Sequence, residues 1–188
     1  MLRKMLIYGV AAGLLAGVPL SCVTVSMSGQ TMMRYGMAVG YLIMLIALST
    51  VFVAIKRHRD ADLGGVIKFW PAFALGLGIS FIAGVLYVLS WEAAVALTHL
   101  DFASSYSKAM IAQQQAKGIS AEALAKLTAQ MEQFKIQYAN PLYRLPMTFA
   151  EIFPVGVLVS LVSAGLLRNS RFLPARMTGS SLSAEQRV

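Results

Sequence analysis

The stretch FWPAFALGLGISFIAGVLYVLSW, residues 69–91, contains no charged side chain from end to end. A bilayer core of about 30 Å is crossed by a helix of about 20 apolar residues, so this stretch predicts a membrane-spanning helix. Working outward, 5–33 and 35–55 are equally free of charge, and 145–167 carries one charged residue, Glu151. The expected fold is all-α: a four-span transmembrane helical bundle with spans at roughly 5–26, 35–55, 68–91 and 147–167. The whole chain, 1–188, reads as a single integral membrane domain. An extracytoplasmic helical hairpin at 92–144 separates spans three and four, and a polar cytoplasmic tail follows at 168–188.

Composition agrees: of 188 residues, 57% are hydrophobic and only 13% charged, far from a soluble domain. A net charge of +8 would suggest nucleic acid in a soluble protein. Its distribution gives a different reading. Arg3 and Lys4 precede span one, Lys56, Arg57, Arg59 and Lys68 lie between spans two and three, and Arg168, Arg171, Arg176 and Arg187 follow span four. An even number of spans puts all three groups on one side, where the positive-inside rule makes both termini cytoplasmic. The expected partners are therefore membrane lipids, with attraction to anionic headgroups, and no nucleic acid. The one cysteine, Cys22, excludes an intrachain disulfide. The basic start and apolar run resemble a lipoprotein signal. Pro19 stands where such a signal has Leu, and the run is too long, so 5–26 reads as a retained span and Cys22 as a small packing residue.

Along the chain, Ser28, Gly29 and Gln30 suit a tight turn, and Gly64-Gly65 breaks a helix. Tyr87 and Trp91 suit the membrane interface at the outer end of span three, as Trp70 does at its inner end. In the insert, Phe102, Tyr106 and Met110 share one helix face, and Leu124, Leu127, Met131, Phe134 and Tyr138 share another. The turn is expected at Lys117-Gly118, an N-cap at Ser120 and a stop at Asn140-Pro141. The stripes either bury one another or offer a face to a protein partner. Small residues recur four apart in every span, among them Gly9, Gly13 and Gly17, then Gly76, Ser80 and Gly84, then Gly156, Ser160 and Ala164. Such stripes let backbones approach in lipid, within the monomer or in a homo-oligomer.

Six residues are candidates for function or structure. Glu151 is the acid inside a span, where an ionisable group is a functional hypothesis. Thr148-x-x-Glu151 also has the form of a capping box at the start of span four, and Pro154 beyond it should kink the helix. His58, Asp60 and Asp62 lie together after span two, as a metal-like trio or as a solvated loop. No nucleophile elbow, zinc helix motif or Walker loop is present. The expectation is therefore no enzyme, with no catalytic residue, cofactor or metal.

The segment Leu48-Ser49-x-x-Phe52-x-x-Ile55-Lys56, leading to Arg59-Asp60 and Gly64-Gly65, resembles a bacterial membrane-protein family, domain of unknown function 4199. So does Thr148-Phe149-x-Glu151-x-Phe153-Pro154-Val155-Gly156 with Ser163-Ala164, and the outer Tyr138-x-Asn140-Pro141 is similar. The resemblance covers roughly Tyr8 to Leu167. It implies a four-span bacterial inner-membrane protein with an outer helical insert, and brings no reaction, cofactor or catalytic residue. The resulting expectation is a multi-pass inner-membrane protein acting as a non-enzymatic interaction or accessory protein. The alternative is a small-solute or ion transporter or channel subunit using Glu151. A membrane-bound enzyme at the cytoplasmic face is the third reading.

Overall fold

The computed structural model describes residues 1–26, 29–99 and 101–174. These residues form six helices and no strand: α1 (Leu2–Ser26), α2 (Gly29–Asp62), α3 (Phe69–Thr98), α4 (Phe102–Ala116), α5 (Ala121–Ala139) and α6 (Pro141–Leu167). Four of them, α1, α2, α3 and α6, are long and apolar enough to cross a membrane. In lipid every backbone polar group needs an internal partner, which a helix supplies. The outward surface is correspondingly apolar: Ile7, Leu15, Leu42, Ile46, Leu158 and Val162 are all exposed. The chain is an integral membrane protein, a four-helix bundle with an α4–α5 hairpin between the third and fourth spans.

α3 is apolar on every side and stands between two neighbours. α1 packs along one face and α6 along another, while α2 packs on α1 and α6. Backbone proximity sets both α3 seams. A Cβ added at Gly9, Gly13 or Gly17 would stand 2.6–2.7 Å from Ile82, Leu86 or Ser90 of α3. The α6 seam is reciprocal: Gly76 faces Ser160, and Gly156 faces Ser80. The two serines lie 3.2 Å apart, and each donates to the Gly156 carbonyl, at 3.1 and 2.7 Å. The recurring small residues of these helices thus serve packing inside one chain. Leu48, Val51, Ile55, Leu75, Ile79 and Ile152 fill the centre and are fully buried.

The connections follow local chemistry. Gly64 and Gly65 have positive φ, 63° and 89°, and the Gly65 N–H donates to the Arg59 carbonyl, ending α2. Gly118, at φ 71°, turns the hairpin after α4. Asp101 caps α4 by accepting from the Ser104 N–H, which holds its carboxyl below the usual range. Ser120 caps α5, accepting from the Ala123 N–H at 3.2 Å. The expected turn at 28–30 differs: Ser28 lies outside the described residues, and Gly29 and Gln30 already belong to α2. Of the tail, 175–188 lie outside the described residues. Cys22 is exposed on α1 rather than packed.

Gly156→Val should therefore force the α3–α6 seam apart and cost about 1–3 kcal/mol. Gly165→Ala, on the same helix with nothing within 4 Å of the added carbon, should leave stability unchanged or slightly raised. Thermal midpoints of the two variants in detergent check this, and equal midpoints would contradict the seam.

Candidate functional site

The fourth span begins earlier than its sequence suggests. Asn140 ends α5 and also starts α6: its side-chain oxygen accepts from the Leu142 N–H at 3.0 Å, and Pro141 occupies the first helical position. Proline there loses no helical bond and has its φ preset. α6 then runs unbroken through Pro146 and Pro154. Thr148 and Glu151 consequently lie two to three turns inside the helix, and the capping box is corrected: no orphan N–H remains at that depth for them to cap.

Glu151 instead reaches across to α3, where the Tyr87 hydroxyl donates to its Oε2 at 3.3 Å. Both residues line a cavity of about 450 Å³. Its walls come from α1 (Leu20, Thr24), α2 (Gly40, Met44), α3 (Tyr87, Trp91), α4 (Phe102, Tyr106) and α6 (Thr148, Glu151), with Tyr138 of α5. Glu151 is the one charged residue among the described residues of this lining.

An aromatic cluster builds the hairpin side of the cavity. The Trp91 indole N–H donates to the Tyr138 hydroxyl at 2.8 Å. Phe102 packs edge-on to Trp91 at 5.3 Å between centroids, and Phe134 lies 5.9 Å from Tyr106 and 5.3 Å from Tyr138. Burial pushes the Tyr138 phenol up to about 12, and the bond from the Trp91 indole works against that rise. Tyr87 and Trp91 are buried, at 3% and 7% exposure, so they are not interfacial anchors as the sequence suggested. The hairpin supplies the cover that the reading of span three alone lacked. Phe102, Tyr106 and Met110 line the cavity, and two of them also meet α5 rings, so the α4 stripe is shared between hairpin and bundle. Beside the cluster, Arg144 of α6 makes a paired contact with Glu92 of α3, at 2.6 and 2.5 Å, and lies 5.6 Å from the Tyr138 ring centre.

The opposite end of the bundle gathers the basic groups. Lys4 pairs with Asp62, which also meets His58 Nδ1 at 2.5 Å. Lys56 pairs with Asp60 at 2.5 Å. Asp60 and Asp62 thus face different cations, and the trio with His58 does not converge. Among the described residues no group of three His, Cys, Asp or Glu could hold a metal ion. The residue sequence reasoning missed is Arg59, counted there only as a topology charge. It is fully buried. Its Nε donates to Asp60 at 2.6 Å, and its terminal nitrogens donate to the Phe172 and Leu173 carbonyls at 2.9 and 2.5 Å, with Leu167 at 3.5 Å. A guanidinium is the side chain able to serve several acceptors at once, so Arg59 ties the end of α6 to α2. The adjacent Arg59-Asp60 within a charged helix end was the available signal.

The family described as Protein of unknown function (DUF4199) matches residues 7–169. The chain belongs to this family. No curated protein and no solved structure matches it. The DUF4199 match takes in Arg59, Tyr87, Glu92, Arg144 and Glu151, hence both ends of the bundle.

Two outcomes follow from this geometry. Asn140→Ala should cost about 1 kcal/mol as a lost cap, whereas Thr148→Val, which removes no cap, should cost less; a reversed order in thermal denaturation would restore the capping box. Arg59→Met should cost on the order of 3 kcal/mol, because it strips Asp60 and two carbonyls of a buried donor. Arg59→Lys should rescue little of that loss. Limited proteolysis near 168–174 should be faster in both variants, and unchanged cleavage would show that Arg59 does not hold this segment.

Proposed function

We propose that this chain is a small-solute binding or transport subunit of the bacterial inner membrane, using Glu151, and that it is not an enzyme. One observation carries the reading: a cavity of about 450 Å³ that reaches Glu151 from the hairpin end. A carboxylate at membrane depth is retained where water or a ligand meets it, and small-molecule sites have this size and this largely apolar lining with few polar groups. The three basic groups at the other end support cytoplasmic termini by the positive-inside rule, which makes the cavity extracytoplasmic. The acids at the basic end support the non-enzymatic reading, since each already faces a cation.

A role as an interaction or accessory protein is the second reading. The α5 stripe that suggested a partner faces α4, but Leu97, Ile136 and Leu142 remain exposed at the hairpin end, at 82%, 75% and 82%. A protein partner or a second copy of the chain would use these residues; otherwise they meet lipid.

In a Cys22→Ser background, a small membrane-impermeant thiol reagent applied to cells with a permeable outer layer should label Glu151→Cys, at the exposed carboxylate position of the cavity. It should not label Ile152→Cys, one residue from Glu151 yet fully buried. Leu63→Cys, at the basic end, should react only after the membrane is broken. A Glu151→Cys that stays unlabelled under every condition would sink the cavity reading, and labelling of Leu63→Cys in intact cells would reverse the orientation.

A further inference from the structure

We propose that the cavity is a receptor for a lipophilic organic cation: a singly charged amine or quaternary ammonium on an apolar body. The proposal deepens the solute-binding reading and rests on it.

Three features of the lining select this class. The first is charge. Glu151 is the one charged residue among the described residues that line the cavity. Tyr87 donates to its Oε2, and Oε1 has no hydrogen-bond partner among the described residues. Among the described residues no lysine or arginine stands on the lining. Arg144, in the hairpin region, is engaged by both carboxylate oxygens of Glu92. The basic cluster sits beyond Leu167, about 24 Å further along α6 at 1.5 Å per residue. An anionic ligand would find no counter-charge among the described residues of the lining, whereas a cation finds the Glu151 carboxylate.

The second feature is aromatic. Tyr87, Trp91, Phe102, Tyr106 and Tyr138 all line the same space. Ring faces carry negative potential and attract ammonium groups, and rings set around one site are the recurring means of holding quaternary ammonium. The Trp91–Tyr138 bond and the ring contacts with Phe102 hold these three rings together as one cluster. The third feature is what is missing for an inorganic ion. Calcium takes six to eight oxygen ligands, and among the described residues no second acid stands on the lining. A cation with its own apolar surface needs one counter-charge and a dry, ring-lined wall, which is the arrangement present. At about 450 Å³ the cavity has the size of a drug-like ligand site.

The test uses the purified full chain in lipid nanodiscs, with Trp70→Phe so that Trp91 is the remaining indole. Benzyltrimethylammonium is titrated against Trp91 fluorescence, beside neopentylbenzene, its uncharged carbon isostere. The expected result is a saturable response to the ammonium, weakened roughly tenfold or more by Glu151→Gln, with the isostere indifferent to that change. Glu151→Asp should keep much of the cation response. Tyr106→Leu, which removes a ring and keeps apolar bulk, should weaken the cation several-fold and leave the isostere alone; if Glu151→Gln fails to fold, this pair decides. Equal binding of both probes, insensitive to Glu151→Gln, would overturn the cation class and leave a general apolar cavity. No saturable response to either probe, with Glu151→Cys still labelled, would also overturn it while the open cavity stands. The same silence with Glu151→Cys unlabelled would remove the solute-binding reading as well.

Discussion

Everything else in this molecule depends on how closely α1 and α6 approach α3. Lipid tails are as apolar as leucine, so no hydrophobic drive gathers these helices, and contact must come from packing and from hydrogen bonds across the interface. Glycines at 9, 13 and 17 bring α1 onto α3 along its length, and the Gly76–Ser160 and Ser80–Gly156 pairs do the same for α6. The α3–α6 seam changes character toward the hairpin. Backbone contact gives way first to Gly84 against the Phe149 ring, then to the Tyr87 hydroxyl meeting Glu151. Side chains separate the helices there, and the space between them is the cavity.

α6 is tied by charge at both ends, in opposite ways. Near its start Arg144 lies on the helix and reaches Glu92 on α3. At its finish the cation belongs to the neighbour, Arg59 of α2, and meets the Phe172 and Leu173 carbonyls just beyond the helix, with the Leu167 carbonyl at 3.5 Å. A positive group at that terminus is also favoured by the helix dipole. The burial of Arg59 is offset by Asp60, which Lys56 in turn engages. A guanidinium with this many acceptors is tolerable away from water, where an unpaired one would not be. These ties fix the depth of Glu151, because both ends of its helix are held.

The number of spans, the hairpin turn at Gly118, the cap at Ser120 and the break at Gly64-Gly65 were legible in the sequence. Each depends on local chemistry: charge-free length, positive φ, or a side-chain oxygen near an orphan N–H. What was not legible depended on the partner across the gap. Thr148-x-x-Glu151 has the letters of a capping box, and only the upstream run from Asn140-Pro141, continuous through Pro146, shows that no helix starts there. Trp91 and Tyr87 carry the composition of interfacial anchors, and their burial requires Phe102 and Tyr138 to arrive from the hairpin. Arg59 among neighbouring basic residues reads as one more surface charge until the end of α6 is brought against it.

The cavity has a floor. Below Glu151, Leu48, Val51, Ile79 and Ile152 are fully buried, so the proposed solute site would open on the hairpin side, and holding a solute there would be separable from passing it across. The walls are not equally locked. Those of α1, α3 and α6 are fastened at glycines where an added carbon would stand under 3 Å from the neighbouring helix, mostly from its side chains, which leaves no room for sliding without loss of packing. The α2 wall is different: a carbon added at Gly40 would meet Leu20 at an ordinary 3.4 Å, and α4, which brings Phe102 and Tyr106, packs on this same helix. Rearrangement around a ligand at Glu151 therefore costs least at α2 and α4 and most at the glycine seams. The element that contributes the carboxylate is the fixed one, and the rings of the hairpin are what can adjust to it.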